Sequence, residues 1–334
     1  MEQLTNQPAA SSATLQRLYA PVAEGLSRVG HLIDEETASG DDFVDRLVRH
    51  GFRLGGKRLR PALVLLSGAA VDQFTEEHVR LAAAVELIHV ATLIHDDVLD
   101  EAALRRHLAT VNARWDNEAS VLLGDYLFTR AMCLAASVEG ADGCRIIGEA
   151  SRVTCEGELR QMNSRGNFAL EEDEYIEIVT GKTAALIACC CRLGAHYAGA
   201  DKRTCDLLGR YGEALGIAFQ IADDLLDLTG EESTTGKSLG SDLAKQKPTL
   251  PLIHVLQQAD AAEKARITEI LQGEGNHHAE ALRPYIERYD AVGYARHRAE
   301  QFTESARREL LDVEDSPARQ ALLDLTRFVV ERRA

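Results

Sequence analysis

The chain has 334 residues, 45% hydrophobic and 27% charged, and its 37 Lys and Arg against 53 Asp and Glu leave a formal charge of −16. That apolar share is enough for a large buried core, and a mean hydropathy of −0.18 fits a protein folded in water. The acidic balance argues against broad nucleic-acid binding and against adhesion to anionic lipid by net charge, since both need a cationic surface.

Residues 1–13 are polar, lack the basic and apolar regions of a secretory signal, and read as a flexible tail. Helical periodicity then predicts helices over 14–31, 41–54, 59–71, 75–101, 118–138, 141–164, 172–199, 201–229, 249–272, 278–291, 293–312 and 317–332. Breakers lie between them, and 230–248, polar and Gly-rich with lysines, reads as a loop over a site. No strand pattern of useful length appears. Length alone suggests about two domains. No Pro- or Ser-rich linker divides the chain, however, so 14–334 is expected to be one all-α domain. No run of ~20 apolar residues lacks a charge, which predicts no transmembrane helix. The seven cysteines have no metal-type spacing. Cys189, Cys190 and Cys191 diverge by ~100° per residue on a helix and read as small core residues of a reducing compartment, the cytoplasm.

Two aspartate clusters carry the chemistry. Asp96, Asp97 and Asp100 lie in one apolar helix, with Asp96 and Asp100 a turn apart on one face. Gln220, Asp223, Asp224 and Asp227 fall at i, i+3, i+4 and i+7 in another. Stacked carboxylates among apolar residues need compensation, and an oxygen-only donor set suits a hard divalent ion, Mg²⁺ before Zn²⁺. Water and substrate phosphate would complete the coordination shell.

Phosphate chemistry also needs cations. Gly55-Gly56-Lys57-Arg58-Leu59-Arg60-Pro61 places Lys57 and Arg60 at a tight turn before a helix N-terminus, where free N–H groups favour an anion. Arg105 and Arg106 follow the first cluster. His89 lies two turns before Asp96. Gly181-Lys182-Thr183 interrupts an apolar helix, and Lys237, Lys245 and Lys247 follow the second cluster. The constellation suits a cavity for a diphosphate with an apolar tail.

GGKRLRP at 55–61, ELIHVATLIHDDVLD at 86–100, RR at 105–106, LLGDYLFTRA at 122–131, GKTA at 181–184, FQIADDLLD at 219–227 and GKSLGSDLAKQKPTLPLIH at 237–254 together resemble the trans-isoprenyl diphosphate synthases, the polyprenyl synthetase family. The resemblance implies an all-α isoprenoid-synthase bundle around a central cavity and a homodimer. It implies that Lys57, Arg60, His89 and Arg106 bind isopentenyl diphosphate. Asp96 and Asp100, with Asp223 and Asp227, would hold Mg²⁺ on the allylic prenyl diphosphate. Arg105, Lys182, Thr183, Gln220 and Lys237 would contact that diphosphate or its surroundings. The implied reaction ionises the allylic C–O bond. The isopentenyl double bond attacks the cation, and a proton is lost, in the family to the departing diphosphate. Asp96, Asp100, Asp223, Lys182 and Lys237 are the expected catalytic set.

Short-chain members of the family carry bulky residues four or five positions before the first aspartate. Thr92 and Ala91 stand there, which predicts a long product, heptaprenyl or octaprenyl diphosphate, of the kind used for quinone side chains. A farnesyl- or geranylgeranyl-length product and a partner subunit of a heteromeric synthase are the alternatives. The resemblance leaves room for transient membrane contact as a long apolar product is released. Two departures stand out. His107-Leu108-Ala109-Thr110 replaces a common Gly-x-Pro-Thr, and Gln246-Lys247 replaces Gly-Lys before Pro248.

Overall fold

Pro21 and Asp260 divide two of the predicted helices. In the computed structural model, which describes residues 7–54, 56–229, 240–273 and 278–331, the first helix stops at Leu18. A short 3-10 turn holding Pro21 follows, and the helix restarts at Ala23. Inside a helix proline removes a backbone hydrogen bond and its ring crowds the preceding turn, and at Pro21 the periodic run breaks. Likewise Asp260 caps a new helix, accepting from the N–H groups of Ala262 and Glu263 and splitting 249–272 at Ala259. The first helix, α1 (Gln7–Leu18), begins inside the segment expected to be a tail.

The described residues fall into two compact units interleaved along the chain. The first takes the described parts of Met1–Glu149, Ile187–Arg210 and Glu309–Leu325. It holds α2 (Ala23–Thr37), α3 (Asp42–Arg53), α4 (Leu59–Val71), α5 (Glu76–Leu99), α6 (Val111–Arg114) and α7 (Asn117–Ala136). The long α5 is buried nearly all round, as its continuous apolar sequence requires, and packs against α2, α4 and α7. The only β-structure among the described residues is a hairpin between α5 and α6, Leu104–Arg105 paired antiparallel with Leu108–Ala109. Its two loop residues, Arg106 and His107, have φ of 51° and 62°. These values define the left-handed two-residue turn that matches strand twist.

The second unit takes the described parts of Ala150–Leu186, Tyr211–Arg308 and Thr326–Ala334. One of its cores joins Ile217, Ile221 and Leu225, a stripe at four-residue spacing, to Tyr175, Ile178 and Val179 and to Leu250 and Ile253. A second core gathers Leu252, Val255 and Leu256 with Ile267, Leu271 and Leu282.

Asn117–Ala136 and Glu172–Tyr197 are long and apolar enough to cross a membrane by length and composition; the second is mostly buried in protein. Cys189, Cys190 and Cys191 are core residues, as expected. Burial pushes the Cys189 and Cys191 thiols up to about 12, and none of the seven cysteines forms a disulfide.

Candidate functional site

In the first unit the cationic turn enters α4 through Arg58, which adopts φ 49° at the N-cap position. Pro61 sits in the first turn, as predicted. Lys57 is exposed and Arg60 half-buried. A Cβ on Gly56 would lie 2.6 Å from the Arg106 guanidinium. The turn therefore leaves Arg106 room to lie against its backbone, and a side chain at Gly56 would push the guanidinium aside.

Arginines of the turn and the hairpin act on two groups on α5. Glu86 is buried, and its Oε2 accepts no hydrogen bond among the described residues. Burial raises its carboxyl pKa, against the opposing pull of Arg60, Arg58 and Arg106. His89 is held well below the ordinary imidazole range, first by burial and then by Arg60, Arg105 and Arg106. It is thus neutral, a hydrogen-bonding group rather than a charge. Sequence reasoning passed over Glu86, although it opens the ELIHVATLIHDDVLD run. A single carboxylate carries no spacing signal, and only the fold brings three arginines to it.

α5 ends at Leu99, with Asp96 and Asp100 half-buried. Asp97 points elsewhere: its carboxylate is buried and paired with Arg105. Arg105, expected around the allylic diphosphate, is therefore occupied by a carboxylate of its own unit. Thr92 Oγ1 donates to the His89 carbonyl, and Ala91 is 1% exposed.

In the second unit, Gly181-Lys182-Thr183 falls in a π-helical turn, Thr180–Ala184. Such turns widen a helix locally and recur at functional sites. This one is seated against α8 (Asp142–Asn163), where a Cβ on Gly157 would lie 2.2 Å from the Lys182 backbone nitrogen. Lys182 Nζ meets Glu158 at 2.5 Å and Gln161 at 2.7 Å. Thr183 Oγ1 donates to Gln220 at 2.8 Å, and Gln220 donates to Asp224 at 2.8 Å. Tyr175 donates to the other Asp224 oxygen at 2.6 Å. Burial, then the nearby Asp242 charge, pushes Asp224 up to about 8, against those two hydrogen bonds. Asp223 and Asp227 stay half-buried. Asp227 Oδ2 accepts from the Asp242 N–H, and its carbonyl accepts from the Gly240 N–H. Lys247 is buried, Lys245 half-buried, and Lys237 lies outside the described residues.

Both donor sets are oxygen-only. Among the described residues no three His, Cys, Asp or Glu gather as a group able to hold a metal alone. Each cluster instead offers a pair of half-buried carboxylates one turn apart, a set that fits a hard divalent ion sharing its shell with phosphate oxygens.

A sequence model of the polyprenyl synthetase family matches residues 41–288. Octaprenyl diphosphate synthase of Escherichia coli (strain K12) is 36% identical over 322 residues, covering 95% of this chain and 99% of that one. A short chain isoprenyl diphosphate synthase of Methanothermobacter thermautotrophicus is 37% identical over 295 residues, covering 86% and 90%. A polyprenyl synthase from Caulobacter crescentus, solved with calcium and isoprenyl diphosphate, superposes with a TM-score of 0.91 at 34% identity, covering 96% of this chain and 98% of that one.

Proposed function

The chain belongs to the polyprenyl synthetase family and is a prenyltransferase, and from that premise we propose a Mg²⁺-dependent all-trans-polyprenyl diphosphate synthase. It condenses isopentenyl diphosphate head-to-tail onto an allylic prenyl diphosphate and makes a long product. The observation that carries this reading is the grouping of Arg60 and Arg106 with Glu86 and His89 on the helix that bears Asp96 and Asp100. That is an anion site built beside a cation site.

Lys57, Arg60 and Arg106 bind the isopentenyl diphosphate, and His89 adds a neutral hydrogen bond. Asp96 with Asp100, and Asp223 with Asp227, hold Mg²⁺. When bound, Mg²⁺ supplies Lewis-acid stabilisation of the departing diphosphate. Lys182, Thr183, Gln220 and Lys237 orient that diphosphate. Lys182 does so by exchanging part of its contact with Glu158 and Gln161, and Arg105 acts through its hold on Asp97. The proton lost after condensation goes to the departing diphosphate, so no side-chain base is needed. Apolar side chains around the reacting carbon keep water from the cation.

Ala91 and the octaprenyl-named relative, which covers more of the chain than the short-chain one, support a long product. The name of the short-chain relative favours a second reading, a shorter-chain synthase. Incubation of the purified protein with Mg²⁺, farnesyl diphosphate and labelled isopentenyl diphosphate, followed by product chromatography, decides between them. Products of seven or more units are expected. Products stopping after one or two additions support the second reading, and no incorporation by the protein alone points to a heteromeric subunit. A homodimer goes with this reading, supported by Val121 and Leu122 left exposed on α7 and checked by sedimentation. So do a cytoplasmic setting and transient membrane contact on product release.

A further inference from the structure

A cavity of ≈240 Å³ between α3 and α6 is lined by Arg46, Arg49, His50, Arg53, Arg114 and Trp115. None of these residues has a part in the reaction above. Arg46, Arg49 and Arg53 recur at i, i+3 and i+7, so three like charges share one helix face, with Asp42 and Asp45 standing four residues before Arg46 and Arg49. Arg53, in the last turn, complements the helix dipole, but Arg46 and Arg49 lie too early to do so. Arg114 adds a fourth charge; it stacks over the Trp115 ring at 4.7 Å and donates to His50 Nδ1 at 3.1 Å. His50 Nε2 faces the Ala109 carbonyl at 2.7 Å, so the proton sits on Nε2, and His50 locks Arg114 without adding charge.

Neighbouring carboxylates make contacts of their own. Asp41 caps α3 through the Phe43 and Val44 N–H groups. Asp45 accepts from the N–H and hydroxyl of Ser39 and also lies within reach of the Arg49 charge, and Asp116 caps α7 through the Ala119 N–H. Four arginines, whose forked donors match phosphate oxygens, thus line one concavity beside an indole. Its volume is below the ~300–1,000 Å³ of pockets for whole ligands and suits a head group.

We propose that α3 and α6 form a second phosphate-binding site, in which Arg46, Arg49, Arg53 and Arg114 hold the phosphate group of a free diphosphate or of an anionic lipid head group. Trp115 is the only tryptophan in the chain, so its fluorescence reports occupancy directly. The full-length protein, in buffer with EDTA, is titrated with inorganic diphosphate and separately with phosphatidylglycerol vesicles, with phosphatidylcholine vesicles as the neutral control. A saturable change in Trp115 emission is expected with one or both anionic probes. A response to diphosphate assigns a free ligand, and a response to phosphatidylglycerol alone assigns a lipid. The Arg49→Gln/Arg53→Gln variant should bind about tenfold or more weakly, the factor for losing at least one charge-assisted hydrogen bond. Arg46→Gln alone should weaken binding in the same direction. Both variants should keep wild-type prenyl transfer, which shows that they fold. Lys57→Gln should lose substrate affinity yet keep the Trp115 response. No saturable response to either anion overturns the proposal. So does a response that survives Arg49→Gln/Arg53→Gln or disappears in Lys57→Gln.

Discussion

Arg105 holds Asp97 through two nitrogens, Nε at 2.9 Å and Nη2 at 2.8 Å from Oδ1, with the carboxylate side chain 2% exposed and the arginine 16%. The middle residue of the first aspartate cluster thus anchors the hairpin that carries Arg106. Asp97→Ala would strand a largely buried guanidinium. It should lower stability by about 3–5 kcal/mol, measured by urea unfolding, because removing one partner of a buried pair leaves the other charge uncompensated. A loss below about 1 kcal/mol, the range of exposed pairs, would show that the pair is solvated.

Gly157→Ala should disturb the π-helical turn. Its Cβ would meet the Lys182 backbone nitrogen at 2.2 Å, and backbone cannot turn aside. A destabilisation of about 1–3 kcal/mol is expected, with a fall in turnover as Lys182 shifts. Gly148→Ala on the same helix meets nothing within 4 Å. It should be neutral or stabilising by up to about 1 kcal/mol through helix propensity.

His107 occupies a left-handed turn position at φ 62° where the resembling family commonly has glycine. A side chain there costs roughly 1–2 kcal/mol, partly offset by the entropy glycine loses on folding. His107→Gly should therefore raise stability by about 0.5–1 kcal/mol, read as a higher urea midpoint.

His78 accepts from the Thr75 N–H at Nδ1 and faces the Gly194 carbonyl through Nε2 at 2.9 Å, so it is neutral in the fold. Burial holds its pKa below 6.5, against the hydrogen bond to Gly194. As pH falls below that value the unfolded chain binds the proton first. The stabilisation is therefore present above 6.5 and is lost as pH drops toward the folded-state value. Urea midpoints at about pH 7 and about pH 5 should differ more for the wild type than for His78→Gln. An equal drop in both would remove His78 as a source of acid sensitivity.

Ala91→Phe should shorten the prenyl product by several units. Ala91 is buried five positions before Asp96, where a ring would block an elongating chain. If Ala91 were ordinary core, the ring would instead cost about 1–3 kcal/mol by overpacking and leave product length unchanged. Chromatography and urea unfolding of the same variant separate the two.

Much of the fold was legible because helices are local. Apolar periodicity marks them, and the starts of α4 and α5 fall within a residue of expectation. The breaks at Pro21 and Asp260 were written in residue type too, but a periodicity continuing across them masked the signal. In the site, the i, i+4 pairing of Asp96 with Asp100 needed only helix geometry. Glu86 was invisible because nothing near it in the chain pairs with it; Arg58, Arg60 and Arg106 reach it only through the turn and the hairpin.

The sequence by itself determined the helical class, the two carboxylate pairs, the cationic turn and the family, since each is carried by spacings of a few residues. Tertiary structure alone decided which aspartates are fully buried and held by side chains from elsewhere in the chain. Asp97 is consumed by Arg105, and Asp224 is buried under Tyr175 and Gln220, leaving Asp96, Asp100, Asp223 and Asp227 half-buried. Neighbouring aspartates in one motif are chemically alike in the unfolded chain. What separates them is the desolvation and the hydrogen-bond partner that a residue distant in sequence supplies on folding.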